Sequence, residues 1–349
     1  MLRNSQDKGP GIMKAAIFGD TGDIVVSEAK LPEPRPGWVR LAVSSVGICG
    51  SDLNLLYAHG DASRGVQPGH EIAGVIDGIG DGVALPTGKL VAVEPLHGCG
   101  HCRYCAAGLR NLCPDNRLFG FTARGGMAEY VTVPEDTLYE LPADLPTHIA
   151  ALTEPMAVCV RGLRLSRLDV QSRVAILGAG SIGLLSILCA KAAGAGEVLI
   201  TARHPHQQEL ARHLGADLVF DSTGSLLQAV GPDYVDVVVE TVGGQADTLS
   251  ESAEVVRHGG RVTILGVFEG KPGVPGWEMF RKELTFTASN CYGRECHRPD
   301  FALATDLVVE HRQLLEPLVT HRFKLDQVAE AFATAADKTT QSIKVQINP

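Results

Sequence analysis

The sequence lacks a basic tail or arm, and its overall charge is negative. Its 349 residues carry a net charge of −9. An acidic chain has no general attraction to nucleic acid or to anionic lipid. These two classes of partner are therefore not expected, and a small molecule is the expected partner.

Neither a signal peptide nor a disulfide framework is predicted. Residues 1–12 are polar, contain Pro10 and have no apolar core, so export is not predicted and Met13 is a candidate start. The nine cysteines are odd in number, and four of them fall within residues 99–113. This pattern suits metal binding in a reducing compartment better than disulfide bonds, so we expect a cytoplasmic protein.

The chain has no internal repeat, but its composition changes near residue 157. Before that point, short β-like runs alternate with turn residues, which indicates a partly open β-barrel. After it, strands alternate with helical segments until about residue 290, a pattern typical of a parallel sheet with helices on both faces. The predicted strands include residues 14–18, 23–27, 38–46, 71–79, 90–93 and 342–347, and the predicted C-terminal helices cover residues 301–310 and 327–336.

A glycine-rich turn stands between an apolar strand and a helix in residues 174–193. Gly178, Gly180 and Gly183 have the Gly-x-Gly-x-x-Gly spacing of dinucleotide-binding turns, and a second β-like run follows at residues 197–201. In such a turn the first glycine permits a tight bend, the second lets the backbone approach a pyrophosphate, and the third lets helix and strand pack closely. We therefore predict a dinucleotide site here.

The helix after this turn begins with Ser181 and Ile182, and the free amide groups of its first turn would face the phosphates. A membrane span is the alternative for this region, because residues 174–190 contain no charge. The three glycines and Lys191 argue against a span.

Four cysteines, Cys99, Cys102, Cys105 and Cys113, lie in one glycine-rich loop. Four thiolates within so short a loop can close a tetrahedron around zinc, whose preference for sulfur and lack of redox chemistry suit a structural site. Because the protein fills all four positions, such a site stabilises a lobe and leaves no place for substrate. Paired disulfides and a nucleic-acid-binding zinc ribbon are the alternatives, and the absence of a dense basic face argues against the ribbon.

A second set of candidate ligands lies upstream. Cys49 and His70 stand in two separate turn sequences, with carboxylates nearby. A thiolate and an imidazole from two turns can hold a second zinc ion and leave one position open for substrate. On its own this pair is weak evidence, because a single Cys or His is more often a packing residue than a ligand.

The order of these motifs is that of a known family. The chain resembles the zinc-containing medium-chain alcohol and polyol dehydrogenases, which include sorbitol, threonine and glucose dehydrogenases and ketose reductases. The resemblance covers almost the whole chain from Met13. It rests on Cys49-Gly50-Ser51-Asp52, Gly69-His70-Glu71, the four-cysteine loop, Glu154-Pro155 and the glycine turn at Gly178.

The resemblance implies an α/β protein of two domains. A GroES-like catalytic domain, built on the partly open β-barrel, would comprise residues 1–157 and 300–349, with a structural zinc lobe at 94–114. A Rossmann domain with a doubly wound parallel sheet would comprise residues 158–299 and bind the nucleotide. The cleft between the two domains would be the active site.

The resemblance also implies a catalytic zinc on Cys49 and His70, in addition to the structural zinc. In the polyol branch of the family, the glutamates of the Gly-His-Glu and Glu-Pro motifs both approach the metal, and here these are Glu71 and Glu154. Which of the two ligates zinc directly stays open. Asp52 is similar to the family's carboxylate that orients the ligand histidine.

The expected reaction is hydride transfer between a nicotinamide and the carbinol carbon of an alcohol. Zinc favours it as a Lewis acid that stabilises the alkoxide. Ser51 matches the hydroxyl that passes the proton towards the cofactor ribose in the family, although it also suits an exposed turn. Many relatives carry a histidine three positions further on, where this chain has Asn54, so water or His59 would substitute.

The cofactor is predicted to be NADP(H). NAD-preferring members end the second strand of the nucleotide domain with an acidic residue, which accepts hydrogen bonds from the ribose hydroxyls. Here that position is Ala202, and Arg203 next to it offers a cation for a 2′-phosphate. The pair is similar to that of NADP(H)-dependent ketose reductases, although an arginine at a strand end also suits plain solvation.

Further residues are assigned by their position in the family. Thr241 and Val267 follow later strands, where nicotinamide and ribose pack, although both also suit plain turns. Tyr57 and Phe121 would give the substrate cleft an apolar wall, or serve core packing. Family members pair as dimers or tetramers through the sheet edge of the nucleotide domain, so a homo-oligomer is expected.

The sequence thus predicts a zinc-dependent enzyme that transfers hydride between NADP(H) and a secondary alcohol, a polyol or the matching ketone. A non-catalytic zinc-stabilised nucleotide-binding relative is one alternative, but it would have no reason to retain Cys49, His70 and Glu154 together. An NAD-linked dehydrogenase of the threonine or sorbitol type is another. A zinc-free quinone reductase of the same superfamily is a third, and the cysteines argue against it.

Overall fold

The computed structural model describes residues 11–19, 22–58, 64–294 and 297–349. The chain divides into two compact units, the first made of Met1–Glu154 and Val319–Pro349 and the second of Pro155–Leu318. The chain therefore returns to the first unit at Val319, whereas the sequence prediction placed this return at residue 300. The difference arises because Asp300 is buried in the second unit, where its carboxylate pairs with Arg164.

The helices and strands are numbered along the chain. The strands of the described residues are β1 (Ile12–Phe18), β2 (Ile24–Lys30), β3 (Trp38–Gly47), β4 (Glu71–Ile79), β5 (Leu90–Val93), β6 (Leu96–His97), β7 (Arg117–Leu118), β8 (Tyr130–Pro134), β9 (Leu138–Glu140), β10 (Arg173–Leu177), β11 (Glu197–Thr201), β12 (Leu218–Phe220), β13 (Val235–Glu240), β14 (Val256–Ile264), β15 (Thr285–Ala288), β16 (Val319–Lys324) and β17 (Lys344–Asn348). The α-helices are α1 (Gly50–Ala58), α2 (Arg103–Ala106), α3 (Thr147–Ala150), α4 (Thr153–Ser166), α5 (Ser181–Ala192), α6 (Pro205–His213), α7 (Thr223–Val230), α8 (Thr248–Val255), α9 (Gly276–Lys282), α10 (Asp300–Glu310), α11 (Arg312–Leu315) and α12 (Val328–Ala336).

The main sheet of the first unit is mostly antiparallel. Its strand order is β16-β17-β3-β4-β5-β9, and β8 pairs with β3 off this path. Buried and partly exposed residues alternate along β3, because alternate side chains of a strand point to opposite faces of the sheet. Strands β1 and β2 form a separate antiparallel pair. The β-rich organisation predicted for this part of the chain is confirmed.

Aliphatic and aromatic side chains of this sheet and of α12 form one core. Leu41 of β3, Ile72 of β4 and Phe332 of α12 are buried in it, and the ring of Phe332 meets that of Phe18 edge to face with centroids 6.0 Å apart. Each such side chain stabilises the fold by about 1.5–3 kcal/mol relative to exposure. This core fixes β3 and β4, the two strands that lead into the candidate site.

The sheet of the second unit is parallel throughout, in the order β12-β11-β10-β13-β14-β15. Strand β10 is buried apart from its first residue, as expected for a parallel strand covered by helices on both faces. The order reverses between β10 and β13, and ligands of such sheets bind beyond the carboxyl ends of the strands at the reversal. The predicted doubly wound sheet is confirmed.

The uncharged run that suggested a membrane span is divided between β10 and α5, and α5 has only 12 residues. Among the described residues, no helix combines the length and the apolar character needed to cross a membrane. The strands predicted at residues 71–79, 90–93 and 197–201 are present with these bounds.

Candidate active site

Two turns of the first unit bring Cys49 and His70 together. Cys49 follows β3 and His70 precedes β4, and these strands pair antiparallel with Gly47 opposite Glu71. One donor atom from each of Cys49, His70 and Glu71 lies within 4.8 Å of the other two. The fold therefore assembles a thiol, an imidazole and a carboxylate at one point.

Asp52 orients two members of this group. It is buried, its Oδ2 accepts a hydrogen bond from the backbone N–H of Cys49 at 2.9 Å, and its Oδ1 lies 3.5 Å from Nδ1 of His70. Burial lowers the pKa of His70, but the negative charge of Asp52 and the nearness of Asp52 and Cys49 to the ring raise it more, so the pKa is well above its usual value. With Nδ1 directed at Asp52, Nε2 is the ring nitrogen left for a metal.

Glu71 is buried beside Lys344, a residue that the sequence analysis did not identify. The Nζ of Lys344 lies 2.6 Å from Oε1 and 2.9 Å from Oε2 of Glu71. Burial lowers the pKa of Lys344, but the charges of Glu71 and Cys49 raise it more, so the lysine is charged. No motif or spacing singles out Lys344, because its partner is distant in the chain.

Glu154 lies outside the group of three donors. Glu154 is buried in the first turn of α4, and its charge contributes to the raised pKa of Lys344. Ser51 is half-buried in the first turn of α1, and Asn54 lies further along the same helix. His59, the predicted substitute in the proton relay, lies outside the described residues.

The two predicted aromatic residues differ in their surroundings. The ring of Phe121 packs against the ring of His70, with centroids 5.2 Å apart. Tyr57 is exposed on α1. Of the two, Phe121 is the one in contact with the donor group.

The four cysteines of the predicted zinc lobe also converge. Their sulfur atoms lie within 4.8 Å of one another, and all four are free thiols, which argues against paired disulfides. The backbone N–H of Cys99 donates to Sγ of Cys113, and that of Cys105 donates to Sγ of Cys102, both at 3.4 Å. The hydrogen bond from Cys105 lowers the pKa of Cys102 to about 7, whereas burial raises the pKa of Cys105 to about 12. Without a metal, Cys102 is therefore the more readily ionised of these two thiols.

The glycine turn joins β10 to α5 in the second unit. Gly178 has a φ of 99°, a backbone conformation that favours glycine. A Cβ on Gly183 would lie 1.9 Å from the carbonyl oxygen of Gly178, whereas a Cβ on Gly180 would meet nothing within 4 Å. Ser181 and Ile182 begin α5 directly after this open space. The turn therefore leaves room for a phosphate at the N-terminus of the helix.

The other predicted cofactor residues follow strands of the same parallel sheet. Ala202 is buried after β11, and Arg203 next to it is exposed. Thr241 follows β13, and its hydroxyl donates a hydrogen bond to the carbonyl oxygen of Leu177 at 2.8 Å, so it supports the glycine turn. Val267 follows β14 and is exposed. All four predicted residues lie at the carboxyl edge of the sheet.

Two family models match the chain: the alcohol dehydrogenase GroES-like domain over residues 35–143, and the zinc-binding dehydrogenase domain over residues 181–310. The chain is 32% identical over 342 residues to the 2-dehydro-3-deoxy-L-galactonate 5-dehydrogenase of Pseudoalteromonas atlantica, an alignment that covers 96% of this chain and 98% of that protein.

Solved structures agree with these matches. A zinc-binding dehydrogenase from Sinorhizobium meliloti bound to NADP has a TM-score of 0.88 and 32% identity, over 97% of this chain and 99% of that one. An alcohol dehydrogenase from Escherichia coli CFT073 complexed with NADH has a TM-score of 0.87 and 26% identity, over 97% of this chain and 100% of that one. The predicted combination of a GroES-like domain with a Rossmann sheet is confirmed. The chain belongs to the zinc-containing medium-chain alcohol and polyol dehydrogenases, and it is an oxidoreductase of that family.

Proposed function

We propose that this protein oxidises a secondary alcohol or polyol, or reduces the matching ketone, with NADP(H) as the hydride carrier. The first unit would hold a zinc ion and the substrate, and the second would hold the nucleotide. The observation that carries the proposal is the convergence of Cys49, His70 and Glu71 on one point. A protein that only binds nucleotide has no use for such a group of donors.

The donor set suits zinc. Thiolate sulfur, imidazole nitrogen and carboxylate oxygen are its usual ligands, and three protein ligands leave a fourth position for substrate. Zinc, when bound, would supply a Lewis acid for the substrate oxygen. Asp52 would hold the Nδ1 proton of His70 and fix the orientation of its ring.

The carboxylate ligand is either Glu71 or Glu154. Glu71 belongs to the group of donors, but both of its oxygens are bound by Lys344. Glu154 is buried near this ion pair and lies outside the group. Both are therefore proposed ligands, Glu71 in states where it leaves Lys344 and Glu154 otherwise.

Proton movement would involve Ser51. Its half-buried hydroxyl stands two positions after Cys49 in the first turn of α1. A hydroxyl both donates and accepts hydrogen bonds, so it can take the proton from the substrate oxygen and pass it on.

We propose a second, structural zinc in the four-cysteine lobe. The ligands would be Cys99, Cys102, Cys105 and Cys113. With four sulfur donors the coordination sphere is complete, so this ion would stabilise the lobe and take no part in the reaction. Free thiols in such a group also support a reducing compartment, so we propose a cytoplasmic location.

The proposed preference for NADP(H) depends on two residues of this chain. Ala202 brings no negative charge to the strand end, and the exposed Arg203 can pair with a 2′-phosphate. The similar structure from Sinorhizobium meliloti holds NADP, and the one from Escherichia coli holds NADH, so the argument rests on residues 202 and 203. Thr241 and Val267 would lie beside the nicotinamide and its ribose.

The substrate is proposed as a polyol, a sugar or a sugar acid with a secondary hydroxyl. The relative from Pseudoalteromonas atlantica is named for a keto-deoxy sugar acid, which supports this class. Turnover with NADP+ on a panel of polyols, sugar acids, threonine and simple secondary alcohols would identify the class. A tenfold or greater preference for NAD(H) in kcat/KM would contradict the cofactor proposal.

Metal analysis of two cysteine variants tests both zinc assignments. Wild type is expected to hold two zinc ions per chain. Cys49→Ala should keep one zinc and its fold while losing turnover, and Cys99→Ala should lose the other zinc and much of its thermal stability. Cys189→Ala is the control, because this buried cysteine lies in neither cluster and its loss should leave the metal content unchanged. Turnover of Cys49→Ala equal to that of wild type would remove the catalytic assignment.

A further inference from the structure

Lys344 is a buried cation that the proposed reaction does not use. Its side chain is 3% exposed and that of its partner Glu71 is 1% exposed. It begins β17, which pairs antiparallel with β3 so that Gln346 stands opposite Gly47. The C-terminal strand therefore delivers a positive charge to the group of metal donors.

The surroundings hold this ion pair in place. A Cβ on Gly47 would lie 1.8 Å from Oε2 of Glu71, so the carboxylate occupies space that any other residue at position 47 would fill. The Nζ of Lys344 also donates to the carbonyl oxygen of Ile48 at 3.3 Å. Because Ile48 directly precedes Cys49, Lys344 contacts both Glu71 and the backbone beside the thiol donor.

A metal ion at this site would compete with Lys344 for the two oxygens of Glu71. A buried carboxylate needs a cation as partner, because an uncompensated buried charge is strongly unfavourable. With Lys344 present, Glu71 has that partner without a metal. Without Lys344, a metal on Cys49 and His70 would be a cation within reach, because their donor atoms lie within 4.8 Å of that of Glu71.

We propose that Lys344 is a positioning residue that holds Glu71 off the metal, so that Glu154 completes the ligand set and one coordination position stays open to substrate. The inference rests on the proposed zinc site at Cys49 and His70. In this role Lys344 touches neither substrate nor cofactor. It acts through its ion pair with Glu71.

Cobalt(II) in place of zinc reports the ligand set, because its visible absorption depends on coordination number and donor type. Lys344→Met removes the charge and keeps a side chain of similar length. Glu71 should then bind the metal, so the cobalt absorption should shift, zinc should pass to a chelator more slowly, and kcat/KM for the alcohol should fall about 10–100-fold. Lys344→Arg keeps the charge and should retain the wild-type cobalt absorption.

A double variant keeps the test decisive if Lys344→Met does not fold. Lys344→Met combined with Glu71→Gln removes both charges and leaves no unpaired buried ion. Its cobalt absorption should match that of wild type, because Glu71 is not a ligand there. A different absorption in the folded double variant would show that Glu71 ligates the metal in wild type and would overturn the inference.

Two further outcomes separate this inference from the proposed function. An unchanged cobalt absorption and an unchanged rate of zinc transfer in folded Lys344→Met would overturn the inference and leave the zinc assignment intact. If Cys49→Ala holds as much metal as wild type, both the inference and the zinc assignment are overturned.

Discussion

Two adjacent residues with opposite surroundings control the proposed choice of cofactor. Ala202 is buried after β11, and Arg203 extends into solvent beside it. A carboxylate at position 202 would repel a 2′-phosphate, and none is present. Since Ala202 contributes only the absence of a charge, the proposal assigns the attraction for the phosphate to Arg203.

Arg203→Ala should raise the KM for NADP+ and leave that for NAD+ nearly unchanged. Loss of a charge-assisted contact costs about 1.5–3 kcal/mol, so kcat/KM with NADP+ should fall about tenfold or more. Arg212→Ala is the matched control, because it removes another exposed arginine in the last turn of α6. Steady-state kinetics with both cofactors checks the prediction, and equal losses with NADP+ and NAD+ would contradict it.

All three residues of the donor group were candidates from the sequence, but the cation beside them was not. Cys49 and His70 stood out in two turn sequences, and the family resemblance added Glu71 as a ligand and Asp52, which lies against both Cys49 and His70. Lys344 could not be predicted, because its position depends on the pairing of β17 with β3 across most of the chain length. No local pattern carries information about such a long-range register.

Two glycines of the turn between β10 and α5 should respond differently to the same substitution. Gly183→Ala should destabilise the protein by about 1–3 kcal/mol, because the added methyl group overlaps the carbonyl oxygen of Gly178. Gly180→Ala should leave the Tm nearly unchanged, because its Cβ meets open space. That methyl group should instead weaken NADP+ binding, since it fills the space left for the pyrophosphate.

Thermal unfolding and calorimetric titration with NADP+ separate these two effects. A normal Tm for Gly183→Ala would show that the helix and strand adjust freely at this point. Unchanged NADP+ affinity in Gly180→Ala would remove the assignment of the open space to phosphate.

Asp217 joins the end of α5 to the start of β11. Its carboxylate accepts a hydrogen bond from the backbone N–H of Val198 at 2.6 Å and pairs with Lys191. Burial raises the pKa of Asp217, but the hydrogen bonds from Lys191 and Val198 lower it more, so the net pKa is below its usual value. The ionised carboxylate therefore supports the attachment of the helix to the sheet.

Asp217→Asn should lower the free energy of unfolding at pH 7 by about 1 kcal/mol or less, since the side chain is 40% exposed and solvent weakens the ion pair. Because the folded pKa is lowered, this contribution is present above the unfolded pKa of about 3.9 and is lost as the pH falls through the folded value. Urea unfolding at several pH values should show the variant and wild type differing at pH 7 and converging below about pH 4. Glu209→Gln is the control, because it neutralises an exposed carboxylate on α6. A difference that grows as the pH falls would contradict the prediction.

Secondary structure was predictable where apolar residues run together. Strands β4, β5 and β11 are rich in buried valine, isoleucine and leucine, and their bounds were predicted. Strand β16 was not predicted, because its sequence Val-Thr-His-Arg-Phe-Lys is mostly polar and its exposed and half-buried residues alternate. It is a strand because it pairs in parallel with β17 at the end of the sheet.

At the scale of the whole molecule, the change in sequence pattern predicted two parts. It did not predict the residue at which the chain passes back from the second unit to the first. The apolar pattern of α10 shows that one face of the helix is buried. It does not show against which of the two units that face packs. Asp300 decides this, because its buried carboxylate pairs with Arg164 and accepts a hydrogen bond from the backbone N–H of Gly293 at 2.7 Å. All three residues belong to the second unit.

The second unit also carries the surface on which we expect self-association. Strand β15 ends the parallel sheet and pairs with β14 on one side, so its other edge has no strand partner among the described residues. Helix α9 precedes β15 and exposes 66% of Trp277 and 78% of Phe280. The helix contacts β14, the strand that pairs with β15. An open sheet edge and exposed aromatic side chains are both typical of surfaces that pair with another chain.

Replacing both aromatic residues of α9 should therefore reduce the size of the assembly. Wild type should sediment as a dimer or tetramer, and Trp277→Glu combined with Phe280→Glu should sediment as a smaller species with unchanged circular dichroism, because charged side chains at these positions would have to be desolvated in the interface. Val170→Glu is the matched control, since Val170 is 78% exposed on another part of the same unit and its replacement should leave the mass unchanged. A wild-type monomer at micromolar concentration, or an unchanged mass in the double variant, would show that this surface does not mediate assembly.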